Sequence, residues 1–129
     1  SAPQTINSGG DAVVQFNNVT VNNNGWFDTS NHKFQPSVAG TYDISFAVQI
    51  ASGTGNGQMN AQVRKNGSQQ LYIIQDEVNK NQNHTLLGSI LVDLNGSSDY
   101  IEITYYTDSS NGSQQVQAGA GSIFKAKLV

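Results

Sequence analysis

An all-β sandwich or barrel is the fold class that the sequence predicts, and three observations carry the expectation. Apolar and polar side chains alternate with a period of two through most of the chain, as on half-buried strands. Asn-Gly pairs, which supply the positive φ angles of tight turns, separate alternating runs at Asn66-Gly67 and Asn95-Gly96. No capped segment of helical length carries a 3.6-residue period. About eight to ten short strands fit the 129 residues.

The elements follow in chain order. Ser1 to Gly10 reads as a linker or remnant, and residues 11–129 as one domain, because single domains most often run about 100–150 residues. Met59 is the only methionine and the chain opens Ser1-Ala2-Pro3, so a piece of something longer is expected. Ala12 to Val21 is a β-branched run. Phe27, Phe34 and Val38 sit among turn-rich segments. Tyr42, Ile44, Phe46, Val48 and Ile50 then alternate strictly with polar or small residues, the clearest strand in the chain. Met59, Ala61 and Val63 form the next, and Asn66-Gly67 reverses it into a return strand over about Gln69 to Asp76. Beyond the polar loop Asn79 to Asn83, Leu86, Gly88, Ile90, Val92 and Leu94 share one face. Asn95-Gly96 begins a hairpin reversal into Ile101, Ile103 and Tyr105. Val116, Ala118 and Ala120 form a short strand after the loop Asp108 to Gln114, and Phe124, Ala126 and Leu128 close the chain.

Composition narrows the function. Only 15 side chains are charged, 6 basic and 9 acidic, and that 12% is about half the usual ~25%. A net charge of −3 without a basic cluster argues against nucleic acid and against a polybasic membrane contact. No apolar run approaches the ~20 residues of a membrane-spanning helix, so no membrane insertion is expected. The absence of Cys removes disulfides, thiolate chemistry and cysteine-ligated metals. Polarity instead comes from 15 Asn, 13 Gln, 14 Ser and 8 Thr. Open sheet edges are usually blunted by charge or proline, and both are scarce here, so edges or faces are expected to be covered by identical subunits.

One stretch is more specific. Phe16, Asn24-Gly25, Phe27-Asp28, Phe34, Pro36, Gly40, Tyr42 and Phe46 resemble the first half of the complement C1q globular head, in the tumour necrosis factor-like jelly-roll superfamily. Gly88 to Gly96, Tyr100 to Ile103 and Ser122-Ile123-Phe124 are similar to its later strands. The resemblance is read as that of a bacterial or bacteriophage member. It implies an antiparallel jelly-roll sandwich forming a compact homotrimer, carried on a stalk and acting by binding. From the residues themselves the motif is structural: Gly25 and Gly40 suit turns, and Phe34, Tyr42 and Phe46 supply aromatic area between sheets.

Candidate chemistry is sparse. His32 and His84 are the only histidines, and no catalytic order or metal-ligand spacing can be built on them. No catalytic residue and no cofactor are expected. Asp93-x-Asn95-x-Ser97-x-Asp99 has the alternating oxygens of a calcium loop but lacks its glycine and its closing glutamate; Asp76 and Glu77 are the other calcium candidates. Trp26, Tyr72 and Tyr106 are candidate ligand-binding aromatics, for a sugar ring or a protein partner, with Tyr100 considered beside them. Packing over the sandwich or against a subunit is the competing role of Trp26. Glycosylation-type triplets occur at Asn18, Asn66, Asn83, Asn95 and Asn111, of which composition alone would give about half, so they carry little signal. The function expected is a non-enzymatic trimeric head of a cell-surface or virion appendage, extracellular, in adhesion, receptor recognition or decoration. Its partners would be its own copies and a glycan or host surface protein. Three alternatives are a carbohydrate-binding module from a secreted enzyme, a structural capsid or fibre cap, and a small hydrolase.

Overall fold

The computed structural model describes residues 3–7, 9–20, 25–51, 57–77, 82–108, 113–117 and 121–129, except the side chain of Thr20. Alternation decides the long strands. In β6 (Gly40–Ile50) every second residue from Tyr42 to Ile50 is buried, and in β9 (His84–Leu94) Leu86, Val92 and Leu94 point the same way. These two strands pair antiparallel along their whole length, Gly40 opposite Leu94 and Ile50 opposite His84. On its other side β6 pairs with β12 (Ile123–Leu128) and, at Ile50, with β11 (Gln114–Val116). β1 (Gln4–Ile6) lies beyond β11, and β3 (Val19–Thr20) runs parallel beside β12. These six strands are sheet A.

Sheet B is built around β10 (Ile101–Thr107). β7 (Gln58–Lys65) flanks it on one side and carries β8 (Gln69–Glu77) as the sheet edge. On the other side lie β2 (Asp11–Val13) and β5 (Lys33–Phe34), with β4 (Phe27–Asp28) beyond β5. The described residues thus form twelve strands and no helix, in two sheets that face each other. The count exceeds eight to ten because six of the strands have only two or three residues.

Three expectations change. Ser1 to Gly10 is not wholly a linker: Gln4–Ile6 is β1, paired to β11, and Ile6 is buried in the core. The run Ala12 to Val21 divides into β2 and β3 around Phe16, whose ring is buried. Asn95-Gly96 does not turn a hairpin, since β9 belongs to sheet A and β10 to sheet B. Crossing the ~10 Å between stacked sheets takes more chain than a two-residue turn supplies. By contrast Asn66 (φ 57°) and Gly67 (φ 78°) do turn the β7–β8 hairpin, both residues left-handed as a type I′ turn requires. Ala118 and Ala120 lie outside the described residues, and so does Asn24.

The core between the sheets is aromatic at one end. Phe16, Phe27, Phe34, Tyr42 and Phe124 pack there, while Phe46 meets Tyr72 edge-on at 6.5 Å. Gly88 makes room for that second contact. A Cβ at this position would lie 2.6 Å from Phe46 Cζ and 2.8 Å from Tyr72 Cε1. Gly88→Ala should therefore cost about 1–3 kcal/mol by overpacking, read as a lower urea midpoint; an unchanged midpoint would show that the two rings move aside freely.

Candidate functional site

The three candidate aromatics stand in three different environments. Trp26 packs edge-on against Phe34 and Tyr42 at 6.4 and 6.2 Å, and its indole N–H donates to Ser37 Oγ at 3.0 Å. It closes the aromatic end of the core. Tyr72 sits opposite Val63 on the inner face of sheet B and is half-buried against Phe46. Tyr106, next to the fully buried Tyr105, points out of sheet B, half-buried between Asn60 and Asp11 on the neighbouring strands. Tyr100 lies under the Lys33 ammonium, 4.6 Å from its ring centroid.

The outward face of sheet A carries apolar residues that the inward pattern concealed. Leu87 and Leu91 on β9 are 62% and 63% exposed. Through the register, Leu87 lies beside Ala47 and Ala47 beside Ile123, an apolar row across three strands. The next rows are Ser89, Ser45, Lys125 and Leu91, Asp43, Lys127. A shallow groove of roughly 190 Å³ lined by Ser45, Phe46, Ala47, Ile123 and Lys125 follows the first row. Among the described residues β9 pairs only with β6, which leaves its far edge without a strand. The signal was present in the sequence as leucines at both parities, Leu86-Leu87 and Leu91.

The outward face of sheet B is mainly polar and internally bonded, with Ile73 on β8, 42% exposed opposite Gln62, and Val13 on β2 as apolar members. Gln62 is only 8% exposed although it points outward. Its amide donates to Asn60 Oδ1 and its carbonyl accepts from Arg64 Nε, both at 3.0 Å. Arg64 reaches diagonally across β10 to Asp11 on β2, with Nη2 at 3.3 Å from Oδ2.

Loop carboxylates and amides are held by their own backbones. Asn95 Oδ1 accepts from the N–H groups of Ser97, Ser98 and Asp99, each at 3.0 Å. Asp99 accepts from Asn66 Nδ2 and from Asn95 N, and Lys65 Nζ lies 3.4 Å away. The oxygens of the calcium-like loop thus serve the fold, and among the described residues no three His, Asp or Glu come together around a metal position. His84 Nδ1 faces Asp76 Oδ2 at 3.8 Å across the seam between β8 and β9, and His32 holds a left-handed turn position between β4 and β5. The two histidines do not meet. Of the glycosylation-type triplets, Asn66 and Asn95 use their amide nitrogens within loops, Asn18 and Asn83 are exposed, and Asn111 is outside the described residues.

Asp28 is explained by the β4–β5 turn. It accepts from Asn31 Nδ2 and from the N–H groups of Asn31 and Ser30, and these bonds lower its pKa. The bond from Asn66, helped by Asn95 N and Lys65, lowers that of Asp99 in the same way. Both favour the charged form, so the stability they contribute is present above the ordinary aspartate pKa and is lost as pH falls through the depressed value. Carboxyl ¹³C titration should put both midpoints below that of an unfolded aspartate; midpoints at or above it would contradict the bonding.

The chain matches the family model described as C1q domain over residues 2–129. No curated protein matches it. It is similar in structure to the globular domain of zebrafish complement 1qA protein, with a TM-score of 0.59 and 15% identity over 100% of this chain and 98% of that one. At that identity the likeness shows the fold alone, a two-sheet jelly roll. The family match spans both sheets and the aromatic core between them, and the chain belongs to the C1q domain family.

Proposed function

We propose that this chain is a non-enzymatic recognition head that assembles as a homotrimer through the outward face of sheet A and is displayed outside the cell or on a virion. The exposure of Leu87 and Leu91 carries the reading: two leucines more than 60% exposed, Leu87 in one row with Ala47 and Ile123 and Leu91 beside Asp43, face solvent in the single chain on a strand that pairs, among the described residues, only with β6. Burying a leucine fully is worth about 1.5–3 kcal/mol, so covering this row with a neighbour is favourable. Membership of the C1q domain family supports the same arrangement. So does the β9 edge, which has no charged or proline gatekeeper between Thr85 and Val92. Adhesion or receptor recognition is the activity that such a head would perform; binding needs a displayed surface and no reacting group.

Sedimentation equilibrium tests this. The chain should run at three times its monomer mass at micromolar concentration, and the Leu87→Asp, Leu91→Asp pair should run as a folded monomer with unchanged strand content. A wild-type monomer, or a trimer untouched by both substitutions, would remove the proposed interface.

A further inference from the structure

If sheet A is covered by neighbours, the outward face of sheet B is the broad surface left to recognise a partner. The geometry points to this face, centred on Tyr106 and Arg64, as a binding site for a neutral, hydroxyl-rich saccharide. The inference rests on the reading of the chain as a recognition head only in leaving sheet B outside the assembly.

Its chemistry comes from three strands. Asp11 on β2, Tyr106 on β10 and Asn60 on β7 lie side by side, and the next row is Val13, Thr104 and Gln62. Arg64 stretches across these rows, fixed at Nε by Gln62 and at Nη2 by Asp11. A guanidinium held at two points loses little further freedom on binding, which favours affinity. The Asp11 carboxylate compensates its charge at 3.3 Å, so the pair offers donors and acceptors without a net field for an anion. Gln62 is nearly covered and both ends of its amide are engaged, so its part is to hold Asn60 and Arg64 in place, and Asn60, Arg64, Asp11 and Tyr106 supply the groups a ligand would meet. Tyr106 adds a half-buried aromatic body with a hydroxyl, suited to the apolar face of a sugar ring. Neutral hydroxyls match such a surface: each is a donor and an acceptor, and no buried charge must lose its partner. An anionic polymer would have to compete with Asp11 for Arg64. A membrane or nucleic acid would need several free cations, and among the described residues the two on this face are Arg64, paired with Asp11, and Lys33, seated over Tyr100.

The test is an amide-shift titration of the ¹⁵N-labelled wild-type protein with cellohexaose and maltohexaose, each to about 5 mM so that affinities near 1 mM are seen. A heparin-derived hexasaccharide serves as the anionic comparison. Shifts should gather on Asn60, Gln62, Arg64, Thr104 and Tyr106 with a neutral hexasaccharide. Tyr106→Ala should weaken binding about tenfold or more. Gln62→Leu, which unties Arg64 without opening a cavity, should weaken it as well, while Tyr106→Phe should retain most of it. Urea midpoints of the variants separate binding loss from unfolding, and a variant that fails to fold leaves the wild-type shift map to decide. No shifts on this face with either neutral hexasaccharide, shifts centred on sheet A, or binding of the anionic hexasaccharide alone would each overturn the site. A trimer without these shifts would sink this inference and spare the assembly; a monomer that shows them would do the reverse.

Discussion

Phe124 on β12 meets Phe16, Phe27 and Phe34 at ring-centroid distances of 5.7, 5.0 and 5.8 Å, and Phe34 continues the cluster to Tyr42 and Trp26. Phe27 and Phe34 belong to sheet B, Tyr42 and Phe124 to sheet A. The cluster is therefore the point at which the sheets are fastened, by side chains drawn from both ends of the chain. Large rings suit this task because each buries much area and tolerates tilted or edge-on contacts across a gap of ~10 Å. The short strands β4 and β5 have few backbone bonds of their own. Their place in sheet B depends on Phe27 and Phe34 being seated in this cluster.

With so few charges, the polar residues divide into two kinds of work. In loops, amides and carboxylates replace secondary structure: Asn95 gathers three backbone N–H groups, Asp28 gathers two and an amide, and Asn66 ties the β7–β8 turn to Asp99 and Tyr100. Such side-chain bonds to backbone hold irregular segments that would otherwise leave polar groups unpaired. On sheet B the amides bond to one another and to Arg64 instead, giving a flat polar surface with a fixed pattern. The two broad faces of the sandwich thus differ in kind, one with exposed leucines and an apolar row, the other with an amide-rich network. That contrast is what a head domain needs if one face is to bind its own copies and the other something else.

Much of the fold was legible in order. The long strands β6, β7, β9, β10 and β12 lie where alternation puts them, because a period of two can satisfy only one buried face. The aromatic motif from Phe16 to Phe46 was legible as a scaffold, and Phe16, Phe27, Phe34, Tyr42 and Phe46 are buried. Short strands such as β1 and β3 were not: two or three residues carry no period, and they exist because a neighbouring strand offers backbone partners. The Asn95-Gly96 pair misled for a related reason. A turn dipeptide signals a reversal but not whether the next strand returns to the same sheet.

The candidate surfaces show the same limit. Sequence alone determined which residues point inward and which outward along each long strand, since side chains alternate whatever the partner. It also determined that charge would be scarce in the chain as a whole. Only the tertiary structure decided which outward residues become neighbours, because strand register sets adjacency and register depends on pairings between distant segments. Leu87, Ala47 and Ile123 form one row, and Asp11, Tyr106 and Asn60 another, solely through those pairings. Trp26 and Tyr72 were separated from Tyr106 by the same cause: the register and the closing of the two sheets took them into or beside the core, and left Tyr106 facing out.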